Sequence, residues 1–197
     1  MLRNKPMLWD EQKTPGTYPV WGVSWFEARA YARWLNSKLA PKLSSAVGVE
    51  YAVMLPTELQ WERSARATSL IQADSRNSPW GNEEFNAEKH ANLHQAIGSV
   101  CTVGLFPPNP VGLQDMAGNT WEWMDNLYTE KPETFQRVDR NHPLASANSL
   151  EKSDQPSLRG GSWIDRVGSA RCSYRGRDHP GYWDLNIGFR VVLSLPD

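Results

Sequence analysis

The chain has 197 residues, 40% of them hydrophobic and 22% charged, which is the composition of an ordinary globular domain long enough to bury one core. A net charge of −1 provides no field for attracting nucleic acid or an anionic membrane surface, and no apolar run is long enough to span a bilayer. The polar start lacks the apolar core of a secretory signal, and two cysteines, Cys101 and Cys172, cannot build a disulfide framework. Together these predict a reduced, cytoplasmic setting.

The first element is a helix from about residue 24 to 40. Ser24 stands at its N-cap with Glu27 three residues on, a capping box that satisfies two orphan backbone donors. Trp25, Ala28, Ala32 and Leu35 follow at helical spacing as an apolar stripe. A second helix opens at Thr57, with Gln60 completing another capping box. Leu59, Trp61 and Ala65 are expected to face the core, and Glu58, Glu62, Arg63 and Arg66 the solvent. From Thr68 onward Gly, Pro, Asn, Asp and Ser punctuate the chain. Short strands are expected at 100–106, 120–124, 157–163, 169–174 and 187–193. The charged stretch 130–156 reads as an exposed insertion. Helices first and short strands after, joined by irregular loops, make an α+β domain spanning 1–197. Ten tryptophans suit such a fold, because each buries large area while its indole N–H needs a partner.

Six strings in order identify a family resemblance: Val23–Ala28, Leu55–Glu62, Pro79–Asn82, Gly112–Trp123, Arg159–Trp163 and Ile187–Arg190. They resemble the formylglycine-generating-enzyme (sulfatase-modifying factor) domain. The resemblance implies a C-type-lectin-like fold with two helices, short antiparallel strands and much irregular loop. In family members a longer N-terminal region precedes the helix at Ser24.

The enzymes of that family oxidise a substrate cysteine to formylglycine with oxygen and a copper ion held by two thiolates. Soft thiolates select Cu(I), and the linear site needs a pair. The resemblance places Cys172 at one of the two positions, but Val167 stands where the partner belongs, and valine cannot ligate a metal. Cys101 lies in an unmatched segment. A small buried side chain is therefore the expectation for Cys172. His90 and His94 are four apart, the one metal-type histidine spacing, in a loop.

Between Trp163 and Ile187 the residue types follow neither period 2 nor period 3.6. Ile164, Asp165, Arg166, Gly168 and Ser169 are followed by Gly176, Arg177, Asp178, His179, Gly181, Tyr182, Trp183, Asp184, Leu185 and Asn186. Framework residues (Arg171, Tyr174, Arg175, Pro180) recur among them. The pattern resembles the variable region of proteins diversified by diversity-generating retroelements, which ends at an Ile-Gly-Phe-Arg string. Side chains displayed on a rigid frame can change ligand without changing stability. An ordinary exposed loop is the alternative.

The resemblance also matches Asp115, Gly118, Thr120 and Glu122 to calcium positions, with the oxygen chemistry that a hard cation takes; otherwise Asp115 and Glu122 cap turns and pair with arginines. Arg159, Arg171, Arg175 and Arg190 are expected to be buried planar donors. The functional expectation is a non-catalytic domain of the sulfatase-modifying factor type. It would bind a protein or other macromolecular ligand through 164–186, on a calcium-stiffened scaffold. The alternatives are a copper-dependent formylglycine-generating oxidase and a sensor domain of a larger signalling protein.

Overall fold

Both capping boxes form, and they set where the two long helices begin. In the computed structural model, which describes residues 5–12, 16–67, 76–131 and 154–195, a four-residue helix α1 (Trp9–Gln12) comes first. No sequence signal marked it. It is anchored by Gln12, whose carboxamide donates to the Trp21 carbonyl at 2.8 Å and accepts from the Trp21 N–H at 3.1 Å. Helix α2 (Trp25–Val47) starts at the Ser24–Glu27 box and runs past the expected end, through Pro41, to Gly48 in the left-handed region. Two side-chain bonds fasten its second half to the returning chain: Asn36 accepts from the Val53 N–H at 2.7 Å and Ser44 from the Tyr51 N–H at 3.0 Å. Tertiary bonds of this kind outweigh one missing helix hydrogen bond at Pro41.

Strand β1 (Ala52–Met54) follows, then α3 (Glu58–Arg66) from the Thr57–Gln60 box. The remaining strands are β2 (Trp121–Leu127), β3 (Pro156–Arg159), β4 (Gly176–Arg177), β5 (Ile187–Gly188) and β6 (Val192–Ser194). The main sheet has the order β4-β3-β2-β5, with β5 parallel to β2 and the other pairs antiparallel. A separate β1–β6 ribbon pairs Ala52 with Ser194 and Met54 with Val192. Gly188 is required where β5 meets β2: a Cβ there would lie 2.5 Å from the Val20 carbonyl oxygen and 3.0 Å from Thr120 Oγ1.

Two expected strands are absent, because their backbone groups go elsewhere. In 100–106 the Cys101 N–H donates to the Asn119 side chain, Val103 to the Thr17 carbonyl and Gly104 to the Asp115 carboxylate. In 169–174 the chain instead makes a 3₁₀ turn (Val167–Ala170), and the Cys172 N–H donates to the Asn77 carbonyl. The expected strand at 187–193 divides into β5 and β6, which serve different sheets. Most of the 130–156 segment lies outside the described residues. Among the described residues, no helix is long and apolar enough to cross a membrane.

Three buried tryptophans staple the layers. Trp25 donates to the Met124 carbonyl at 2.8 Å, Trp123 to the Val23 carbonyl at 3.0 Å and Trp61 to the Glu122 carboxylate at 2.7 Å. Each packs its ring in a core cluster while its N–H crosses to another segment. The α2 stripe buries Trp25, Ala28 and Ala32 against β2, β3 and β5 as expected. Helix α3 buries Trp61 and Ala65 as expected, but at its start two residues exchange roles: Leu59 is exposed, and Glu58 is buried.

Candidate ligand-binding face

The buried Glu58 carboxylate is the hub beneath the candidate face. It accepts from Arg159 Nε at 3.0 Å, Arg175 Nε and Nη2 at 2.6 and 2.8 Å, Ser157 Oγ at 2.6 Å and Asn126 Nδ2 at 2.9 Å. Arg159 also donates to the carbonyls of Cys172 and Tyr174 and to Glu62, while Arg175 reaches the Thr129 carbonyl. One carboxylate thus fixes α3, β2, β3 and the chain leading into β4. Burial alone would push the Glu58 carboxyl up, but the hydrogen bonds from Arg175, Ser157 and Asn126 and the charge of Arg159 hold it at about 2.

On this base the candidate residues fall in two loops. The first, 163–169, is braced by the His94 region: the His94 and Gln95 N–H groups donate to the carbonyls of Asp165 and Trp163, and His94 Nε2 accepts from the Val167 N–H at 3.1 Å. Ile164, Arg166 and Gly168 are exposed, and Asp165 and Ser169 are half-buried. Asp165 turns inward to take hydrogen bonds from the Ser162 N–H and hydroxyl. The second loop joins β4 to β5. Here Arg177, His179, Gly181, Tyr182, Trp183 and Leu185 are exposed, and Gly176, Asp178 and Asp184 are half-buried. Tyr182, Trp183 and Leu185 leave 41, 39 and 40% of their surface in solvent, close together on one loop. The Tyr182 hydroxyl donates to Asp184 at 2.9 Å, which holds the phenol up from its ordinary titration range.

Asn186 differs from the expectation. It is 9% exposed, donates to Ser162 Oγ at 3.0 Å and offers its carbonyl to the Trp121 N–H at 2.8 Å. It ties the roots of the two loops together and belongs to the frame. Pro180 and Cys172 are frame too, fully buried, with the Pro180 carbonyl accepting from the Trp25 N–H. Arg171 and Tyr174 reverse in the other direction, since both are exposed. Arg171 donates to the nearby Gly168 carbonyl, and Tyr174 stands beside Trp121 with ring centroids 6.0 Å apart. Sequence reasoning also missed Tyr128, whose ring lies under both Arg175 and Arg177, at 4.3 and 4.5 Å from the guanidinium carbons. No sequence pattern marks Tyr128, because the arginines arrive from about fifty residues away.

The thiols occupy separate environments. Cys172 is packed with Trp61, Ala65, Met116 and Met124, and Cys101 sits where its backbone is clasped by the Asn119 carboxamide. Burial pushes both up to about 11. Val167, at the position of the missing partner thiol, begins the 3₁₀ turn. Native protein near pH 7.5 should therefore leave both thiols unalkylated by iodoacetamide over a period in which the denatured chain reacts fully. Fast native labelling of Cys172 would reveal an accessible thiolate.

Among the residues matched to calcium, Glu122 is engaged by an arginine. Both Glu122 oxygens are taken: Oε1 and Oε2 each accept from Arg190 at 2.6 Å, and Oε2 also accepts from the Trp61 indole. Arg190 further donates to the carbonyls of Gln114 and Asp115. The Arg190 guanidinium thus holds both oxygens of Glu122 and two nearby carbonyls. Asp115 accepts from the Gly104 N–H at 2.7 Å and is raised by burial. Gly118 is held at φ +70 with a Cβ position blocked by the Asn92 carbonyl, and Thr120 is buried. The histidine pair does not converge: His90 Nδ1 accepts from the Asn86 N–H and its ring stacks on Trp80, while His94 serves Val167.

An α+β body of curled sheets, few helices and long hydrogen-bonded loops, with its candidate face on those loops, defines a C-type-lectin-like fold. The solved structure of Treponema denticola variable protein 1 has this fold; it superposes with a TM-score of 0.65 at 21% identity, over 98% of this chain and 76% of that one. Residues 4–195 match the sulfatase-modifying factor enzyme 1-like domain, and the chain belongs to that family. Its relatives include the serine/threonine-protein kinase pkn1 of Chlamydia pneumoniae, 31% identical over 178 residues, covering 90% of this chain and 24% of the kinase. Another is the hercynine oxygenase of Mycolicibacterium smegmatis, 30% identical over 186 residues, covering 93% of this chain and 39% of the oxygenase. The chain therefore spans only a quarter to two-fifths of the length of these relatives.

Proposed function

We propose that this domain is a non-catalytic ligand-binding module whose recognition face is the exposed part of 164–185. The observation that carries the reading is the separation of roles along that segment. Apolar, basic, imidazole and aromatic side chains are exposed (Ile164, Arg166, Arg177, His179, Tyr182, Trp183), while Ala170, Cys172 and Pro180 between them, and Asn186 just beyond, are buried in the frame. Tyr182 and Trp183 supply rigid aromatic anchors, and Arg177 and His179 supply polar selectivity for a protein or other macromolecular partner. The fold shared with a protein called variable protein 1 supports retroelement diversification of this face as the finer reading.

The test is a combined variant, Arg177→Ser, His179→Asn, Tyr182→Ser, Trp183→Arg and Leu185→Asn. Display positions outside the core cost about 0.5 kcal/mol or less each, so cooperative melting should persist with only a small fall in midpoint. Loss of the folded state would make these positions structural and end the display reading. A reverse-transcriptase gene beside the coding sequence, with a near-repeat of the segment encoding 164–190, tests the diversification.

Two alternatives have specific support. The family's name favours a copper oxidase of the formylglycine-generating type; oxidation of a sulfatase peptide that disappears in Cys172→Ala would establish it. The match to one quarter of a kinase favours a sensor module within a longer signalling chain.

A further inference from the structure

A second interaction surface lies outside 164–185, at the β1–β6 ribbon. The two edges of that ribbon differ. On the β1 side, the outward N–H groups of Tyr51 and Val53 donate to Ser44 and Asn36 of α2, at 3.0 and 2.7 Å. Because Val53 turns its N–H away from β6, Val53 and Leu193 form a non-hydrogen-bonded pair of the antiparallel ladder. The N–H and C=O of Leu193 therefore point off the opposite edge, where neither has a hydrogen bond among the described residues. Proteins commonly blunt such an edge with charge, proline or a bulge. Residues 191–195 read Val-Val-Leu-Ser-Leu, with no charge and no proline, and Leu193 and Leu195 are 48 and 56% exposed.

Side chains of paired residues share one face of a sheet. Leu193 thus lies on the face that Val53 turns to α2, where Val53 shares a cavity wall with Ala32 and Asn36. Along that helix Tyr31, Trp34 and Leu39 are exposed. Tyr31 meets Phe189, just ahead of β6, edge to face with centroids 5.5 Å apart, and Trp34 leans on Tyr31 at 5.6 Å. The five exposed side chains (Tyr31, Trp34, Leu39, Leu193, Leu195) offer on the order of 400 Å² of apolar surface. That is about half of what each partner buries in a standard interface, and the edge backbone adds to it. The occupant that fits is the same edge of a second copy. A two-fold axis at Leu193 sets this residue opposite its own copy, and each donates its N–H to the other's carbonyl. Two ribbons become one four-stranded sheet, with both α2 helices on one side of it. Residues 191–195 bring no like charges together across the axis.

We propose that the chain associates as a weak two-fold dimer through β6, paired antiparallel about Leu193 and covering the exposed side chains of α2. The surface is independent of the display face and stands or falls separately from it.

Sedimentation equilibrium of the full chain from about 10 μM to about 1 mM tests it, the range in which a small interface associates. The average mass should rise from one chain toward two. Leu193→Lys, at an exposed position, should keep the melting midpoint of the dilute protein and hold it monomeric throughout. Under mild oxidation Leu193→Cys should give a covalent dimer, since a hydrogen-bonded pair sets its Cα atoms about 5.5 Å apart. Val111→Cys, exposed elsewhere, should cross-link about tenfold more slowly or less, having no local concentration of its copy. A single-chain mass at every concentration, a dimer that survives Leu193→Lys, or equal cross-linking of the two cysteine variants would each overturn the proposal. So would a monomer whose Leu193 amide is protected from exchange by an unrelated strand-forming peptide, which would give the edge to a foreign strand.

Discussion

Glu58→Gln is expected to cost about 3–5 kcal/mol, the loss typical when one partner of a buried ion pair is removed, and so to consume a large fraction of the domain's stability. The amide keeps the shape but not the charge, and Arg159 and Arg175 are left buried against a group that must also donate. Urea unfolding at pH 7 reads the loss directly; a change below about 1 kcal/mol would show that the arginines find water instead. The same carboxylate makes an acid limb. Its folded-state value of about 2 lies below the ordinary 4.5, so its contribution is fully present above pH 4.5. It is lost as pH falls from there toward 2, and it amounts to on the order of 3 kcal/mol in all. Wild-type stability should fall steeply across that window, and the glutamine variant should lose this part of the slope.

Arg190→Met is the second large effect. Glu122 is buried with both oxygens in charge-assisted bonds to Arg190, and methionine fills the space while leaving the carboxylate with the Trp61 indole alone. A loss of about 3–5 kcal/mol is expected. The same geometry predicts that a chelator leaves the wild-type melting midpoint unchanged, since the guanidinium already supplies the positive charge for which the sequence suggested calcium. A fall of more than about 5 °C on chelation, the signature of a ligand bound to the folded state, would return that role to a cation.

The aromatic face adds little to stability by comparison. Trp183 and Tyr182 rest on loops whose backbone is fixed from below by Asn186, Pro180 and the Glu58 hub. A frame secured independently of the exposed side chains is what the proposed display face requires.

Several features were legible in the residues because their cause is local. The starts of α2 and α3 depend on hydrogen bonds between residues three apart, and both boxes form as written. The ordered motifs carried the family and the fold, and the absence of a second cysteine beside Cys172 is a fact of sequence alone. What the tertiary structure decided depends on partners far along the chain. Glu58 sits among charged neighbours on a short helix and reads as solvent-facing, yet it is buried because Arg159 and Arg175 arrive from 101 and 117 residues away. Leu59 is correspondingly turned out. Asn186 became frame only because Ser162 meets it across the loop roots, and Arg190 entered the oxygen set of Glu122 from 68 residues downstream. Capping, spacing and motif order are written within a few residues, whereas burial of a charge is settled by whether its counter-charge is delivered, and only the folded chain delivers it.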